Sequence, residues 1–370
     1  MSGAAPRIDP AELAERLARR EPLTVLDVRV DAEWPIEAES ATLLHLPADD
    51  VLAAPVATAE RLSGPVAVVC QRGLRAEAVA GALRAVGTDA SVLAGGMRGW
   101  IGALRAWPVE VGLPGVEVVQ VQRPGRGCLS YLVASEGEAV VVDPAPDAAF
   151  YAALAERRGA RITQVLDTHI HADHLSGARQ LCELTGARLR LSEPALERGV
   201  AFAESVVAVA DGEEIELGRT TLRVLALPGH TTDMTGLLVG GRALIAGDSV
   251  FADGIARPDL QRGDAEGSRE MARLLHRTLR ERVLALPGDT VLLPCHTHPG
   301  VPSGPVAPTL DEVRAAVPEL GLADAEQFAE ALLAEMPPRP ANYESIIAAN
   351  SGTHRFDPEL ETGGNSCATR

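Results

Sequence analysis

The sequence predicts two domains of mixed helix and strand: an N-terminal α/β domain, then an α+β domain whose two sheets carry helices on their outer faces. Three observations predict this. A chain of 370 residues has room for two cores at about 100 to 200 residues per domain. Helix-like and strand-like segments alternate as far as residue 110. After a stretch rich in Pro and Gly that ends at Gly115, strand patterns dominate.

Composition and charge exclude several classes of protein. Hydrophobic residues make up 46% and charged residues 23%, which is typical of a packed globular chain rather than a disordered one. Asp and Glu outnumber Lys and Arg by 51 to 34, and the net charge of -17 repels phosphate backbones and anionic lipid. We therefore expect neither a nucleic acid nor a membrane as a partner.

Cysteine usage indicates the compartment. The five cysteines are an odd number, lie far apart and form no CxxC pair, which argues against a disulfide or zinc framework. The first residues lack a signal-peptide pattern, and no apolar run approaches the ~18 residues of a membrane span. A cytoplasmic protein is expected.

The first domain, assigned to residues 1–110, begins with a helix that Asp9 caps before Pro10 and that runs to Ala18. The following apolar runs predict strands and one helix. These segments are the strands Leu23–Val28, Val66–Cys70 and Ala90–Leu93 and the helix Arg75–Val86.

The second domain, assigned to residues 116–350, opens with predicted strands and then mixes both element types. The predicted strands are Glu117–Gln122, Leu129–Ser135, Ala139–Asp143, Ile162–Thr168, Leu222–Leu227, Arg242–Ala246 and Thr290–Pro294. The predicted helices are Ala148–Arg158, Gly177–Thr185, Thr309–Ala316 and Ala323–Glu335. Residues 351–370 lack periodicity and are expected to form a loose tail.

The loop from Cys70 to Arg75 joins a buried strand to a helix. Backbone N–H groups can curl around the Cys70 sulfur there, and the helix N-terminus adds positive potential that favours a thiolate. Arg72 and Arg75 add cations that can also bind an anionic substrate. The alternative is a buried cysteine that only completes a core strand.

The first 110 residues resemble the rhodanese family. The motif of a cysteine followed by xxGxR is present as Cys70–Arg75, and further recurring pieces occur in order: Leu26–Arg29, Glu33-Trp34, His45–Pro47, Gly95–Met97 and Trp100. The resemblance implies that Cys70 accepts a sulfane sulfur and becomes a persulfide. Cys70 and Arg75 would then be catalytic, and Arg72 would bind substrate.

Seven residues of metal-binding type follow the ends of predicted strands. Two histidines at i and i+2 of an extended segment, His169 and His171, point to one side. Asp173 and His174 follow in the next turn, and three more residues occur in later turns: His230, Asp248 and His296. The chain has nine histidines and five belong to this set, which predicts a metal centre rather than scattered structural histidines.

Residues 116–350 resemble the metallo-β-lactamase superfamily, because the HxHxDH motif, the later His, the bridging Asp and the last His are all present. The resemblance implies an αββα sandwich with metal between the sheets. Both a two-zinc hydrolase and a one-iron oxygenase keep all seven residues, so the ligands alone do not choose between them.

The stretch from Ser249 to Gln261 is similar to the persulfide dioxygenase branch of that superfamily. The resemblance implies one Fe(2+) per chain bound by His169, His230 and Asp248, the two histidines and one carboxylate of a non-haem iron site. It makes Arg257 the residue that holds the thiol substrate; the alternative is that Arg257 pairs with Asp253 or Asp259 and only shapes the loop. Outer-shell or second-metal candidates are His171, Asp173, His174 and His296.

Near the end of the second domain, Pro338–Glu344 resembles a closing segment of bacterial proteins that combine these two domains. Arg339 and Tyr343 are substrate-pocket candidates on that basis, with ordinary packing as the alternative.

The leading hypothesis is a bifunctional sulfur enzyme. It oxidises a low-molecular-weight thiol persulfide with O₂ to sulfite and thiol, while the rhodanese domain exchanges sulfane sulfur with thiosulfate or sulfite. One alternative is a two-zinc thioester hydrolase of the glyoxalase II kind. Another is a sulfur-carrier module with a structural metal domain. A homodimer is one assembly that the sequence allows.

Overall fold

The computed structural model describes residues 4–31, 36–38, 41–297, 300–334 and 336–361. Glu33, Trp34 and residues 362–370 of the expected tail lie outside this range. The chain divides into two compact units. The first comprises Met1–Arg105, Gln122–Gly127 and His298–Gly304, and the second comprises Ala106–Val121, Cys128–Thr297 and Pro305–Arg370.

The first unit is an α/β domain built on a parallel sheet of order β1-β5-β4-β2-β3. Its strands are β1 (Arg7–Ile8), β2 (Thr24–Asp27), β3 (Thr42–His45), β4 (Val66–Val69) and β5 (Ala90–Leu93). Its helices are α1 (Pro10–Ala18), α2 (Ala48–Ala53), α3 (Pro55–Ala59), α4 (Leu74–Ala85) and α5 (Gly96–Gly102). Alternate residues of β4 enter two separate hydrophobic clusters, with Val68 in one and Val69 in the other, so both faces of the sheet are buried.

The second unit contains two sheets. The seven-stranded sheet has the order β12-β11-β10-β9-β8-β7-β6. Its strands are β6 (Arg105–Val109), β7 (Val116–Arg123), β8 (Cys128–Ser135), β9 (Glu138–Val142), β10 (Arg161–Leu166), β11 (Arg188–Ser192) and β12 (Val206–Val209). The five-stranded sheet runs in chain order and consists of β13 (Glu214–Leu217), β14 (Thr220–Ala226), β15 (Thr235–Val239), β16 (Ala243–Gly247) and β17 (Val291–Pro294).

The two sheets of the second unit face each other across one apolar core. Tyr131 and Val140 of the larger sheet share a buried cluster with Leu237 and Ile245 of the smaller one. Because side chains alternate along a strand, neighbouring Leu244 of β16 points to the other face and packs into a second cluster with Leu275 and other helical residues. The predicted αββα sandwich is confirmed.

Seven helices complete the second unit among the described residues. They are α6 (Ala148–Glu156), α7 (Ala178–Thr185), α8 (Glu193–Glu197), α9 (Ala265–Thr278), α10 (Leu310–Ala316), α11 (Ala325–Ala334) and α12 (Tyr343–Asn350). Helix α12 and the residues after it form a small cluster in which Ile346 and Leu360 pack with Leu175. In residues 351–361, Ser351 and Glu361 are buried and Phe356 and Leu360 contact this cluster, whereas most of the other residues are exposed. The segment ends in a short 3-10 helix at Pro358–Glu361.

No helix within the described ranges has the length and apolar character that crossing a bilayer requires.

Candidate functional site

The predicted metal ligands lie in loops that follow strands of both sheets. Residues 167–176 form an irregular segment after β10 and carry the HxHxDH motif. His230 lies between β14 and β15, Asp248 directly follows β16, and His296 follows β17 by one residue. All seven side chains are buried. Strand ends from the two facing sheets thus bring together residues that lie up to 127 positions apart in the sequence.

His169, His230 and Asp248 form one group whose ligand atoms lie within 4.8 Å of one another. The Asp248 Oδ2 atom is 3.8 Å from Nε2 of His169 and 3.7 Å from Nε2 of His230. Both of these imidazole nitrogens are buried and make no hydrogen bond. Two bare nitrogens and a carboxylate that converge in this way are the donor set of a metal ion rather than a packed core.

The other ring nitrogen of each histidine is held by the protein. His230 Nδ1 donates to the carbonyl oxygen of Arg257 at 2.7 Å. His169 Nδ1 lies 3.0 Å from the Thr168 hydroxyl, and that hydroxyl donates to Asp143 at 2.9 Å. The hydroxyl therefore accepts from His169, and in both rings the proton sits on Nδ1 while the Nε2 lone pair is left for a metal.

Asp143 contacts several residues around this site through its carboxylate. Its carboxylate accepts hydrogen bonds from the Thr168 backbone N–H at 2.7 Å and from the Cys295 thiol at 2.8 Å. His171 Nε2 lies 3.0 Å from the same carboxylate. His171 Nδ1, by contrast, is buried and makes no hydrogen bond, so a metal could bind this nitrogen once it has lost its proton.

Asp173, His174, His296 and Cys128 form a second group of buried ligand atoms. His296 Nε2 lies 3.2 Å from Oδ2 of Asp173 and 3.4 Å from Oδ1 of Asp248. His174 Nδ1 lies 2.9 Å from the other oxygen of Asp173. The Asp248 carboxylate thus lies between the two groups, with one oxygen towards each.

Burial determines the charge of these histidines. It lowers the pKa of His230 and of His296 to about 4, and it lowers the pKa of His169 well below its usual value. Burial also acts against charge on His171, but the Asp143 carboxylate outweighs it and raises the pKa of His171 to about 10. The rings of His169 and His230 are therefore neutral at neutral pH, as metal ligation requires.

The Cys70 loop lies in the first unit. Cys70 is buried, and its sulfur accepts a hydrogen bond of 3.1 Å from the backbone N–H of Gly73. Gly96 packs so closely under this loop that a Cβ there would lie 2.1 Å from the Cys70 carbonyl oxygen. The Arg72 and Arg75 side chains are exposed to solvent. The predicted strand–cysteine–helix geometry is present, with both arginines on its surface.

Comparison with known proteins identifies the second unit. Residues 123–296 match the model of the metallo-beta-lactamase superfamily. The hydroxyacylglutathione hydrolase of Xanthomonas oryzae pv. oryzae is 32% identical over 230 residues, which cover 62% of this chain and 82% of the relative. The chain belongs to the metallo-beta-lactamase superfamily.

The superfamily domain is joined to a second module, because residues 9–103 match the rhodanese-like domain. The mitochondrial persulfide dioxygenase ETHE1 of Homo sapiens is 29% identical over 216 residues, 58% of this chain and 78% of the relative. The crystal structure of ETHE1 from Myxococcus xanthus aligns with a TM-score of 0.54 at 27% identity and covers 63% of this chain and 97% of that one. The fusion predicted from the sequence is confirmed.

Arg257 of this superfamily domain was expected to hold the substrate, and the structure places it differently. The side chain is fully buried and binds Asp259 through Nε at 2.8 Å and Nη2 at 3.1 Å. Nη2 also donates to the Pro337 carbonyl at 2.8 Å, and Nη1 donates to Pro338 at 3.2 Å. These contacts favour a structural role for Arg257. Its side chain would stabilise the loop whose Arg257 carbonyl accepts the hydrogen bond from His230.

Arg339 and Tyr343, the two weaker pocket candidates, lie close to that loop. Arg339 Nε donates to Asp259 at 2.9 Å. The Tyr343 ring packs against Ala172 of the metal-binding loop and against Leu260. Arg339 therefore connects the C-terminal segment to the loop that contains Asp259, and Tyr343 connects it to the loop that carries the HxHxDH motif.

Sequence reasoning missed the residues that support the ligands from behind, namely Asp143, Thr168 and Asn350. Asp143 and Thr168 end predicted strands, and their polarity at a buried strand end was the available signal. No sequence pattern indicated a role for Asn350, because it lies in a helix far along the chain from the metal motif.

Proposed function

We propose that the second unit is an iron-dependent persulfide dioxygenase. A low-molecular-weight thiol persulfide, RSSH, reacts with O₂ and H₂O to give RSH, SO₃²⁻ and two protons. The outer sulfur loses four electrons, and O₂ accepts all four. Similarity to persulfide dioxygenases over most of their length supports this proposal.

The observation that carries the proposal is the pair of bare, buried Nε2 atoms of His169 and His230 facing Asp248. Two imidazoles and one carboxylate are the protein ligands of the non-haem iron facial triad. Fe(2+) held by these three residues would supply open positions at which O₂ and a sulfur can bind together.

In this proposal the protein orients the metal-binding histidines and determines which ring nitrogen of each carries the proton. The Arg257 carbonyl holds the proton of His230 on Nδ1, and the Thr168 hydroxyl does the same for His169. Asp143 keeps a proton on Nε2 of His171, whose pKa it raises to about 10 despite the opposing effect of burial. Ligand orientation is thus settled before a substrate arrives.

For the first unit we propose sulfur transfer through Cys70. Its thiolate attacks the outer sulfur of thiosulfate, so that Cys–S⁻ and S₂O₃²⁻ give Cys–S–S⁻ and SO₃²⁻. Run in reverse, the same step converts sulfite into thiosulfate. Sulfite links the two units chemically, because the dioxygenase reaction produces it and the Cys70 persulfide consumes it.

A second candidate is a two-zinc thioester hydrolase. The observation that favours it is the complete second group of Asp173, His174 and His296, with Asp248 between the two groups. Relatives named hydroxyacylglutathione hydrolase also match at 32% to 38% identity. Zinc ions held by these two groups would lower the pKa of a bound water and so supply the nucleophile for thioester hydrolysis.

A third candidate is a sulfur carrier with a merely structural metal domain, and it is less well supported because His169, His230 and Asp248 form a group of only three ligands. Structural zinc sites have closed four-ligand sets and need no open position.

Metal analysis and substrate tests separate these candidates. The protein is purified without oxygen and its metals are counted, and it is then given glutathione persulfide or a hydroxyacylglutathione. Our proposal requires one iron per chain, and O₂ consumption matched by sulfite. Two zinc ions with thioester hydrolysis and no O₂ uptake would establish the second candidate, and no turnover of either substrate would favour the third.

A further inference from the structure

The metal-binding loop has an unusual source of support. Residues 167–176 belong to no helix or strand, so their backbone groups need partners from elsewhere. Two N–H groups in the first half of the loop bind carboxylates of the superfamily domain. Thr168 donates to Asp143 at 2.7 Å, and Ile170 donates to Asp233 at 2.8 Å.

The second half of the loop is held by the C-terminal segment, and chiefly by Asn350 at the end of α12. The Asn350 Nδ2 atom donates to the carbonyl oxygens of His171 at 2.9 Å and His174 at 2.8 Å. The Oδ1 atom accepts from the backbone N–H of Ser176 at 2.9 Å. Both donors and the acceptor of this one carboxamide are therefore used on the same loop.

A second residue from the same segment completes the support. The Glu361 carboxylate is 3% exposed and accepts a hydrogen bond of 2.8 Å from the Leu175 backbone N–H. Helix α12 is fixed in place by Ile346, which is fully buried against Leu175. Three consecutive positions, 174 to 176, are thus bound by side chains from residues 350 and 361.

We infer that Asn350 is a positioning residue for the metal centre, which it serves by fixing the backbone of the loop that carries His169, His171, Asp173 and His174. Asn350 touches neither the substrate nor a ligand atom, and it lies beyond residue 296, where the superfamily match ends. The inference rests on the proposed metal centre but not on the choice between iron and zinc.

Substitution by Asp is the sharpest change. Asn350→Asp keeps the shape and the acceptor for Ser176, but it replaces two N–H donors with an oxygen that faces the carbonyls of His171 and His174. The matched control is Ser351→Ala, because the Ser351 hydroxyl donates to Ile347 and Ala348 within the helix end and not to the loop.

The measurement is the affinity of the metal-free full chain for Zn²⁺, and under nitrogen for Fe²⁺, by competition with a coloured chelator. Loss of an outer partner of a metal site costs about 10- to 100-fold in affinity. We expect a loss of that size for both ions in Asn350→Asp, and wild-type affinity in Ser351→Ala. Wild-type affinity in Asn350→Asp, or an equal loss in the control, would overturn the inference.

A second variant addresses the case in which Asn350→Asp does not fold. Asn350→Ser adds no charge, and its hydroxyl is one bond too short to reach the His171 and His174 carbonyls, so it should also lose metal affinity, with unchanged circular dichroism. Full affinity in the serine variant would contradict the inference. Activity is not the readout, so a failure of the dioxygenase proposal would appear instead as normal metal binding without persulfide oxidation.

Discussion

His230 Nδ1 lies 2.7 Å from the backbone carbonyl oxygen of Arg257, so a metal ligand and a buried ion pair are parts of one loop. The Arg257 guanidinium binds Asp259 with two hydrogen bonds, and its side chain has no exposed surface. We therefore expect the position of the carbonyl that orients His230 to depend on the ion pair between Arg257 and Asp259.

Replacement of Arg257 by Ala should destabilise the protein, because Asp259 loses two of its hydrogen bonds and the Pro337 and Pro338 carbonyls lose the donors that Arg257 supplies. Breaking a buried pair costs about 3 to 5 kcal/mol, and the lower end is expected here because Arg339 still binds Asp259. Chemical denaturation measures the loss. Arg339→Ala is the control and should cost under about 1 kcal/mol, since Arg339 is one-third exposed.

The same variant distinguishes a loop-shaping Arg257 from a substrate anchor. If Arg257 only shapes the loop, the rate of Arg257→Ala relative to the wild type should be reduced by the same factor for charged and for neutral thiol persulfides. A penalty confined to charged carriers would restore the anchor role that the sequence suggested.

Replacement of Asp248 by Ala should abolish metal retention and O₂ uptake, because two histidines alone hold iron weakly. Sulfur loading of Cys70 should survive. Asp253→Ala is the matched control, since that carboxylate lies five residues further along and is exposed. Full metal content in Asp248→Ala would refute the ligand assignment.

Replacement of Cys70 by Ser should eliminate sulfur transfer and spare oxidation of a supplied persulfide, because a serine hydroxyl is not ionised at neutral pH. Intact-mass spectrometry after thiosulfate treatment should show one added sulfur on the native chain and none on the variant. Cys182→Ser should still gain the sulfur, because burial raises the pKa of the Cys182 thiol to about 12 and keeps it unreactive. An unmodified native chain would reject Cys70 as the carrier.

The metal-free protein should lose stability in acid partly through His296. Burial lowers its folded-state pKa to about 4, whereas the unfolded value is about 6.5. Between these values the unfolded chain binds the proton more readily, so the contribution of His296 is complete above pH 6.5 and is lost as the pH falls towards 4. The wild type should therefore lose more unfolding free energy than His296→Gln between pH 7 and 4.5. Parallel pH profiles would contradict this.

The metal motif could be predicted because its chemistry is local in the sequence, and the two resemblances supplied the fold around it. The predicted bounds of the strand Ala90–Leu93 match the structure at both ends, because short apolar runs are typical of buried strands. Strand β15 was missed. Its Gly236 reads as a loop residue, yet a Cβ there would lie 2.6 Å from Leu227 and 2.9 Å from the Ile245 carbonyl, so close packing requires the glycine.

Other features depend on contacts that no local pattern contains. The hydrogen bonds from Arg257 to the Pro337 and Pro338 carbonyls could not be predicted, because these partners lie 80 and 81 positions further along the chain. Strand β11 is different, because its sequence Arg-Leu-Arg-Leu-Ser has the period of two that is typical of a strand and could have predicted it.

The hydrogen bond between Asn350 and the His171 carbonyl spans 179 positions, and this separation has a consequence during biosynthesis. At ribosomal rates of about 5 to 20 residues per second, the loop is made roughly 10 to 35 seconds before the amide that completes it. During that interval water must satisfy the His171 and His174 carbonyls. A chain whose synthesis stops between residues 297 and 349 therefore contains all seven candidate ligands, but its metal-binding loop lacks the Asn350 hydrogen bonds.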